Sequence, residues 1–137
     1  MRTVFADSLY WIAIVRPNDP WKVVARAARG TARDLRIVTT DEVLTEFLAA
    51  LSASGETMRH QAARMVRAIL SNRNVEVIPQ SRDSFLKGLE LYEERGDKEY
   101  SLTDCISMHA MKVLSISEAL TNDHHFEQEG FSILMKR

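Results

Sequence analysis

SLTDCISMHAMKVLSISEALTND, residues 101–123, decides the fold. Its first half is a helix with a signalled start: Ser101 precedes Thr103 to Leu114, where a hydroxyl can cap the free amides of a first turn. Its second half is a short apolar strand, Glu118 to Leu120. Working outward, Thr3 to Ala6, Ile37 to Thr39, Val75 to Ile78 and Phe131 to Leu134 read as further strands, with helix-length segments between them. That alternation predicts an α/β fold: one domain over residues 1–137, with a parallel central sheet of about five strands flanked by helices on both faces.

The helical segments carry their own punctuation. Asp41 to Ala53 follows Thr39-Thr40 and ends before Gly55. Thr57 to Leu70 aligns Met58, Ala62, Met65 and Ile69 in one apolar stripe, with Arg59, Arg64 and Arg67 largely off it. Ser81 to Arg95 groups Phe85, Leu86, Leu89 and Tyr92 and stops at Gly96. Pro17 and Pro20 bracket a break after a first helix that starts near Leu9, and a short helix is expected over Trp21 to Arg29.

Composition narrows the function classes. The chain has 137 residues, 45% hydrophobic and 27% charged, which is ordinary globular usage. Eighteen Lys and Arg against nineteen Asp and Glu give a formal net charge of -1, so any nucleic-acid contact must be local rather than driven by a global positive field. One cysteine, Cys105, excludes an internal disulfide framework and a thiolate zinc site, and it suits a reducing cytoplasm. No run approaches the ~18 apolar residues of a membrane span, and Asp7 interrupts the only N-terminal apolar run, so neither a membrane segment nor an export signal is expected.

In open parallel sheets ligands gather beyond the carboxyl ends of the strands. Asp7 follows the first strand, Asp123 follows the fourth, Glu46 lies within two turns of the second, and Asp104 opens the helix before the fourth. Each has a plain structural reading. Asp7 can cap the first helix, Ser101 to Asp104 fits a capping box, Asp123 can cap a turn before His124, and Glu46 can be solvated surface. Together they raise a different problem, because crowded carboxylates repel one another unless a cation compensates. All-oxygen ligation suits Mg²⁺ or Mn²⁺ rather than zinc or copper.

Taken in order, Val4-Phe5-Ala6-Asp7-Ser8, Thr39-Thr40-Asp41-Glu42-Val43-Leu44-Thr45-Glu46, Ser101-Leu102-Thr103-Asp104-Cys105 and Leu120-Thr121-Asn122-Asp123-His124-His125-Phe126 resemble the PIN-domain ribonucleases, particularly the VapC-like toxins. The resemblance spans nearly the whole chain. It implies hydrolysis of RNA phosphodiesters at an Mg²⁺ site, where Mn²⁺ can substitute, built from Asp7, Glu46, Asp104 and Asp123. By the same resemblance Thr121 belongs with the catalytic set as polar support, Ser8 supports it, the protein forms a homodimer, and a small antitoxin encoded nearby is its partner. A metal ion that activates water needs no protein nucleophile, which agrees with the lack of any Ser-His-Asp or Cys-His constellation.

Other residues read more plainly. Cys105 is expected to be a buried hydrophobe, and Met58, Met65, Met108 and Met111 core filler. His124 and His125 are read as surface or supporting histidines, since neither His60 nor His109 stands at ligand spacing from them. Lys22 to Arg36 holds five basic residues and one acidic, with Arg26, Arg29 and Arg33 on one helix face, either a solvated face or a flank for phosphates. Tyr10, Trp11 and Trp21 are expected to pack rather than stack on bases. A non-cleaving RNA- or protein-binding module of the same fold, and a solitary housekeeping nuclease, are the alternatives. A receiver-type phosphoaspartate switch fits poorly, because Val75 to Ile78 runs into Pro79-Gln80 instead of an aspartate.

Overall fold

The computed structural model describes residues 2–30 and 34–137. Five strands, β1 (Arg2–Ala6), β2 (Leu35–Thr40), β3 (Val75–Ile78), β4 (Glu118–Leu120) and β5 (Ser132–Ile133), form one parallel sheet in the order β3-β2-β1-β4-β5. Seven helices are present among the described residues: α1 (Ser8–Val15), α2 (Lys22–Gly30), α3 (Asp41–Leu51), α4 (Glu56–Ser71), α5 (Arg82–Glu94), α6 (Leu102–Val113) and α7 (His124–Gln128). The expected α/β class, the parallel sheet and its five strands are all present.

Strand order explains where a site can form. The chain steps from β1 to β2 to β3 in one direction, then returns to place β4 on the opposite side of β1. The carboxyl ends of β1 and β4 therefore bound the crevice where the direction of winding reverses. Val4, Phe5 and Ala6 are all fully buried. Successive strand residues point to opposite faces, so both faces of the sheet are covered. The core continues through Ile37 and Val38 of β2, Phe47 and Leu51 of α3, and Met108 and Met111 of α6. Tyr10 and Trp11 are buried in it, while Met58 and Met65 pack half-buried against it.

Local sequence sets most boundaries. Thr40 caps α3 by accepting from Val43 N at 3.0 Å. Ser81 and Ser84 form a reciprocal capping box at the start of α5. Gly55 precedes α4 at φ 96°, where a side chain would be strained. Two expectations need correction. The final strand is only Ser132–Ile133, shorter than Phe131 to Leu134, the Phe131 N–H turning back to donate to Phe126 O at 3.0 Å instead of joining the sheet. His124–Gln128 is a short helix that no apolar period announced. Arg33, expected on one face with Arg26 and Arg29, lies outside the described residues.

Helix α5 departs further from its pattern. Phe85, Leu86, Leu89 and Tyr92 are 40%, 46%, 36% and 51% exposed, and the buried face is Gly88 and Leu91. Gly88 is the reason α5 and α6 approach so closely: a Cβ there would overlap Ile106 Cγ1 and lie 3.3 Å from the Ile106 backbone nitrogen. Gly88→Ala should therefore destabilise the protein by about 1–2 kcal/mol, overpacking outweighing the ~1 kcal/mol helix-propensity gain. Urea unfolding measures it, and a stabilised variant would show that the two helices are not in contact at this position.

Candidate metal centre

Asp7 leaves the end of β1 and its backbone N–H continues the sheet by donating to Leu120 O at 3.2 Å. It occupies the N-cap position of α1 but makes no side-chain cap bond, so the capping expectation fails. Its carboxylate turns across the β1/β4 crevice instead and accepts from Thr121 Oγ1 at 2.9 Å. The same Thr121 oxygen accepts from Asp123 N at 3.1 Å, linking the two acids. Asp7 is 3% exposed, and burial pushes its pKa up to about 7, against the lowering effect of the Thr121 bond and with added repulsion from Asp104 and Glu46.

Glu46 lies on α3, which packs against α1. The Ser8 hydroxyl donates to Glu46 Oε1 at 2.5 Å. Glu46 is half-buried rather than the solvated surface residue of the plain reading. Burial raises its pKa, the Ser8 bond lowers it, and Asp104 and Asp123 raise it further.

Asp104 and Asp123 are caps and members of the cluster at once. Asp104 completes a capping box on α6, its Oδ2 accepting from Ser101 N at 3.1 Å while its own N–H donates to Ser101 Oγ at 3.0 Å. Asp123 caps α7 by accepting from His125 N at 2.9 Å. Each cap bond leaves carboxylate oxygen capacity unused, so a local structural role does not remove the residue from the site. Burial raises the Asp104 pKa, while the Ser101 backbone and the His125 side chain lower it.

His125 was not singled out by its spacing, and the structure brings it into the cluster. Its Nδ1 lies 3.1 Å from Asp104 Oδ2 and 3.4 Å from Asp123 Oδ1. Ligand atoms of Asp104, Asp123 and His125 fall within 4.8 Å of one another, close enough to surround one ion. The available signal was the placement of His125 two residues after Asp123 at a helix start, where cap and imidazole fold back together. His124 points elsewhere and pairs with Glu127 at 2.6 Å. Cys105 is fully buried, and its thiol is pushed up to about 11, which keeps it protonated.

Asp7, Glu46, Asp104, Asp123 and His125 line one pocket of about 340 Å³, together with Glu99. Five carboxylates contribute to the lining and, among the described residues, no Lys or Arg does. The donor set fits a hard divalent cation: carboxylate oxygens dominate, one imidazole joins them, and burial, with mutual repulsion adding to it, raises Asp7, Glu46 and Asp104, a cost that a cation relieves.

The sign of the Asp7 shift yields a stability prediction for the metal-free protein. A carboxyl whose folded pKa is raised from 3.8 to about 7 favours folding fully below about pH 4, and that contribution is lost as pH rises through 7. The loss is on the order of 4 kcal/mol. Asp7→Asn, neutral throughout, should melt above the wild type at pH 8 without divalent metal and close to it at pH 4. Thermal melts across that range decide the matter, and a variant less stable at pH 8 would mean the carboxylate is needed as an anion.

The profile of the PIN domain family matches residues 4–131 of this chain. No curated protein matches it in sequence. Among solved structures, VapC20 of Mycobacterium tuberculosis, described as a sarcin-ricin loop cleaving toxin, superposes with a TM-score of 0.82 at 25% identity, over 93% of this chain and 95% of that one. VapBC2 of Rickettsia felis, bound to a DNA fragment from its promoter, gives 0.62 at 15% identity over 96% of each chain. FitAcB of Neisseria gonorrhoeae gives 0.66 at 11% identity, also over 96% of each. The last two speak to the fold alone. Acids at the β1/β4 crevice, the parallel sheet and the match over nearly the full length agree, and the chain belongs to the PIN domain family, as a VapC-like member.

Proposed function

We propose that this protein is a divalent-metal-dependent endoribonuclease and the toxin of a toxin–antitoxin pair, acting in the cytoplasm. The observation that carries the reading is the convergence of Asp7, Glu46, Asp104 and Asp123 on a pocket whose lining, among the described residues, contains no Lys or Arg. Likeness to a toxin described as cleaving the sarcin-ricin loop supports RNA as the substrate.

Asp7, Glu46, Asp104 and Asp123 would hold Mg²⁺, or Mn²⁺ in its place, and a cation bound there would supply Lewis acidity and a lowered pKa for water in phosphodiester hydrolysis. The protein's own part is orientation. Thr121 fixes the Asp7 carboxylate by donating to Oδ2, and Ser8 fixes Glu46 at Oε1. The caps at Ser101 and at the start of α7 hold Asp104 and Asp123 without occupying all their lone pairs. Thr121 acts as support for the acids rather than as a nucleophile.

Two partners follow from the same reading. An antitoxin that places a guanidinium among the acids would replace the missing cation and so block the site. A second copy of the chain would cover the exposed Phe85, Leu86, Leu89 and Tyr92 of α5, making a homodimer.

Cleavage of a fluorescent single-stranded and loop RNA panel should require Mg²⁺ or Mn²⁺, vanish in EDTA and return on metal addition. Asp104→Asn should lower the rate at least about 100-fold while the protein stays folded. Metal-independent cleavage, or intact RNA under every metal condition, contradicts the reading, and the second outcome would favour a non-cleaving binding module. Light scattering at micromolar concentration should give twice 15.6 kDa, and a value of 15.6 kDa would refute the homodimer.

A further inference from the structure

Outside the pocket, Glu129, the C-cap residue of α7, is a heavily bonded side chain among the described residues. Its side chain is 5% exposed and its two oxygens accept four hydrogen bonds. Arg95 Nε donates to Oε1 at 2.9 Å and Arg95 Nη2 to Oε2 at 2.8 Å. The Tyr100 hydroxyl donates to Oε1 at 3.1 Å, and Lys112 Nζ donates to Oε2 at 2.6 Å. Arg95 is the C-cap of α5, Lys112 lies in the last turn of α6, and Tyr100 stands immediately before the capping box of α6. One carboxylate thus fastens α7 to three separate segments.

Both ends of this arrangement reach the acid cluster. Helix α7 has five residues, too few to be stable alone, so its orientation must come from what holds its ends. Asp123 and His125 are at one end and Glu129 at the other, about 7.5 Å of helix between them. The Tyr100 ring packs against the His125 imidazole, with centroids 5.4 Å apart and planes tilted by 55°. Tyr100 is also joined directly to Ser101, whose backbone and hydroxyl fix Asp104. The clamp therefore stands behind both arms of the cluster.

We propose that Glu129 is a positioning residue: through Tyr100 and α7 it holds His125, Asp123 and Asp104 at the separation needed to share one divalent ion. This rests on the metal-site reading given above and adds a residue outside the pocket lining to it. Arg95, Lys112 and Tyr100 hold Glu129 ionised, at about 2, and burial with the Glu129 bond lifts the Tyr100 hydroxyl to about 12, so the donor and acceptor roles persist across the neutral range. Glu129→Gln keeps the shape but sets an amide donor where Arg95 or Lys112 also donates, or leaves Tyr100 facing one.

The test uses two readouts on the full chain. Amide exchange in metal-free protein reports the His125 and Asp104 N–H groups, whose acceptors are Asp123 Oδ1 and Ser101 Oγ. Calorimetry reports Mn²⁺ affinity at a temperature where every variant is folded. Glu129→Gln should speed exchange at His125 and Asp104 at least about tenfold more than at Val4 and Phe5 of β1, and weaken Mn²⁺ binding about tenfold. Ile69→Ala, a core truncation on α4 remote from the clamp, should destabilise the protein with no selective loosening and leave Mn²⁺ affinity within about twofold. Uniform loosening in Glu129→Gln, or unchanged exchange and affinity, overturns the proposal. Should Glu129→Gln fail to fold, Tyr100→Phe, which removes one of the four bonds and keeps the ring, is judged by the same selective exchange. A wild type that binds no Mn²⁺ would refute the metal site itself, and the exchange pattern would still decide whether Glu129 holds α7.

Discussion

The burial of several carboxylates together at the β1/β4 crevice is the constraint around which the rest of the molecule is arranged. Asp7, Glu46 and Asp104 all have raised pKa values, with burial the main cause and mutual repulsion adding to it. A structure selected only for stability would place a Lys or Arg among them or replace one with an apolar residue. Among the described residues neither is seen, and cations serve elsewhere: Arg95 and Lys112 neutralise Glu129, Arg2 pairs with Glu118, and Arg36 pairs with Glu76. Stability is given up at one point of the fold, the point where the proposed cation would bind.

Supporting bonds limit that loss and explain why the acids stay in register. Thr121 couples the end of β4 to the end of β1 by donating to Asp7 while accepting from Asp123 N. Ser8 couples α1 to α3 through Glu46. The caps of α6 and α7 are built from the same carboxylates that face the pocket, so the helix starts and the site form together. A structural and a functional reading of Asp104 or Asp123 are not competitors, because a carboxylate has more acceptor capacity than one cap bond uses.

Much of this was legible in the sequence because it depends on local signals. The strands alternate with capped helices, Asp7 and Asp123 follow strand ends, Asp104 opens a helix and Glu46 lies within two turns of β2, so the order of elements brings them toward one rim. What the sequence hid depends on long-range contacts. The apolar row of α5 reads as a core face, yet the adjoining side, Gly88 with Leu91, turns inward because only a residue without a Cβ admits Ile106 so closely. His125 has no partner at ligand spacing, and its proximity to Asp104 arises across 21 residues of chain. The bonds to Glu129 come from Arg95, Tyr100 and Lys112, three segments whose convergence no periodicity encodes.

The central claim is that a divalent cation stabilises the ionised form of Asp7, which burial, with added repulsion from Asp104 and Glu46, keeps partly protonated near neutrality. Mn²⁺ titration by calorimetry, repeated in buffers of different ionisation enthalpy, measures the protons released on binding. With Asp7 at about 7, binding at pH 6 should release close to one proton from this residue, and the release should fall toward zero by pH 8.5 as Asp7 becomes ionised beforehand. Binding with no proton release at either pH, or no binding at all, would contradict the account.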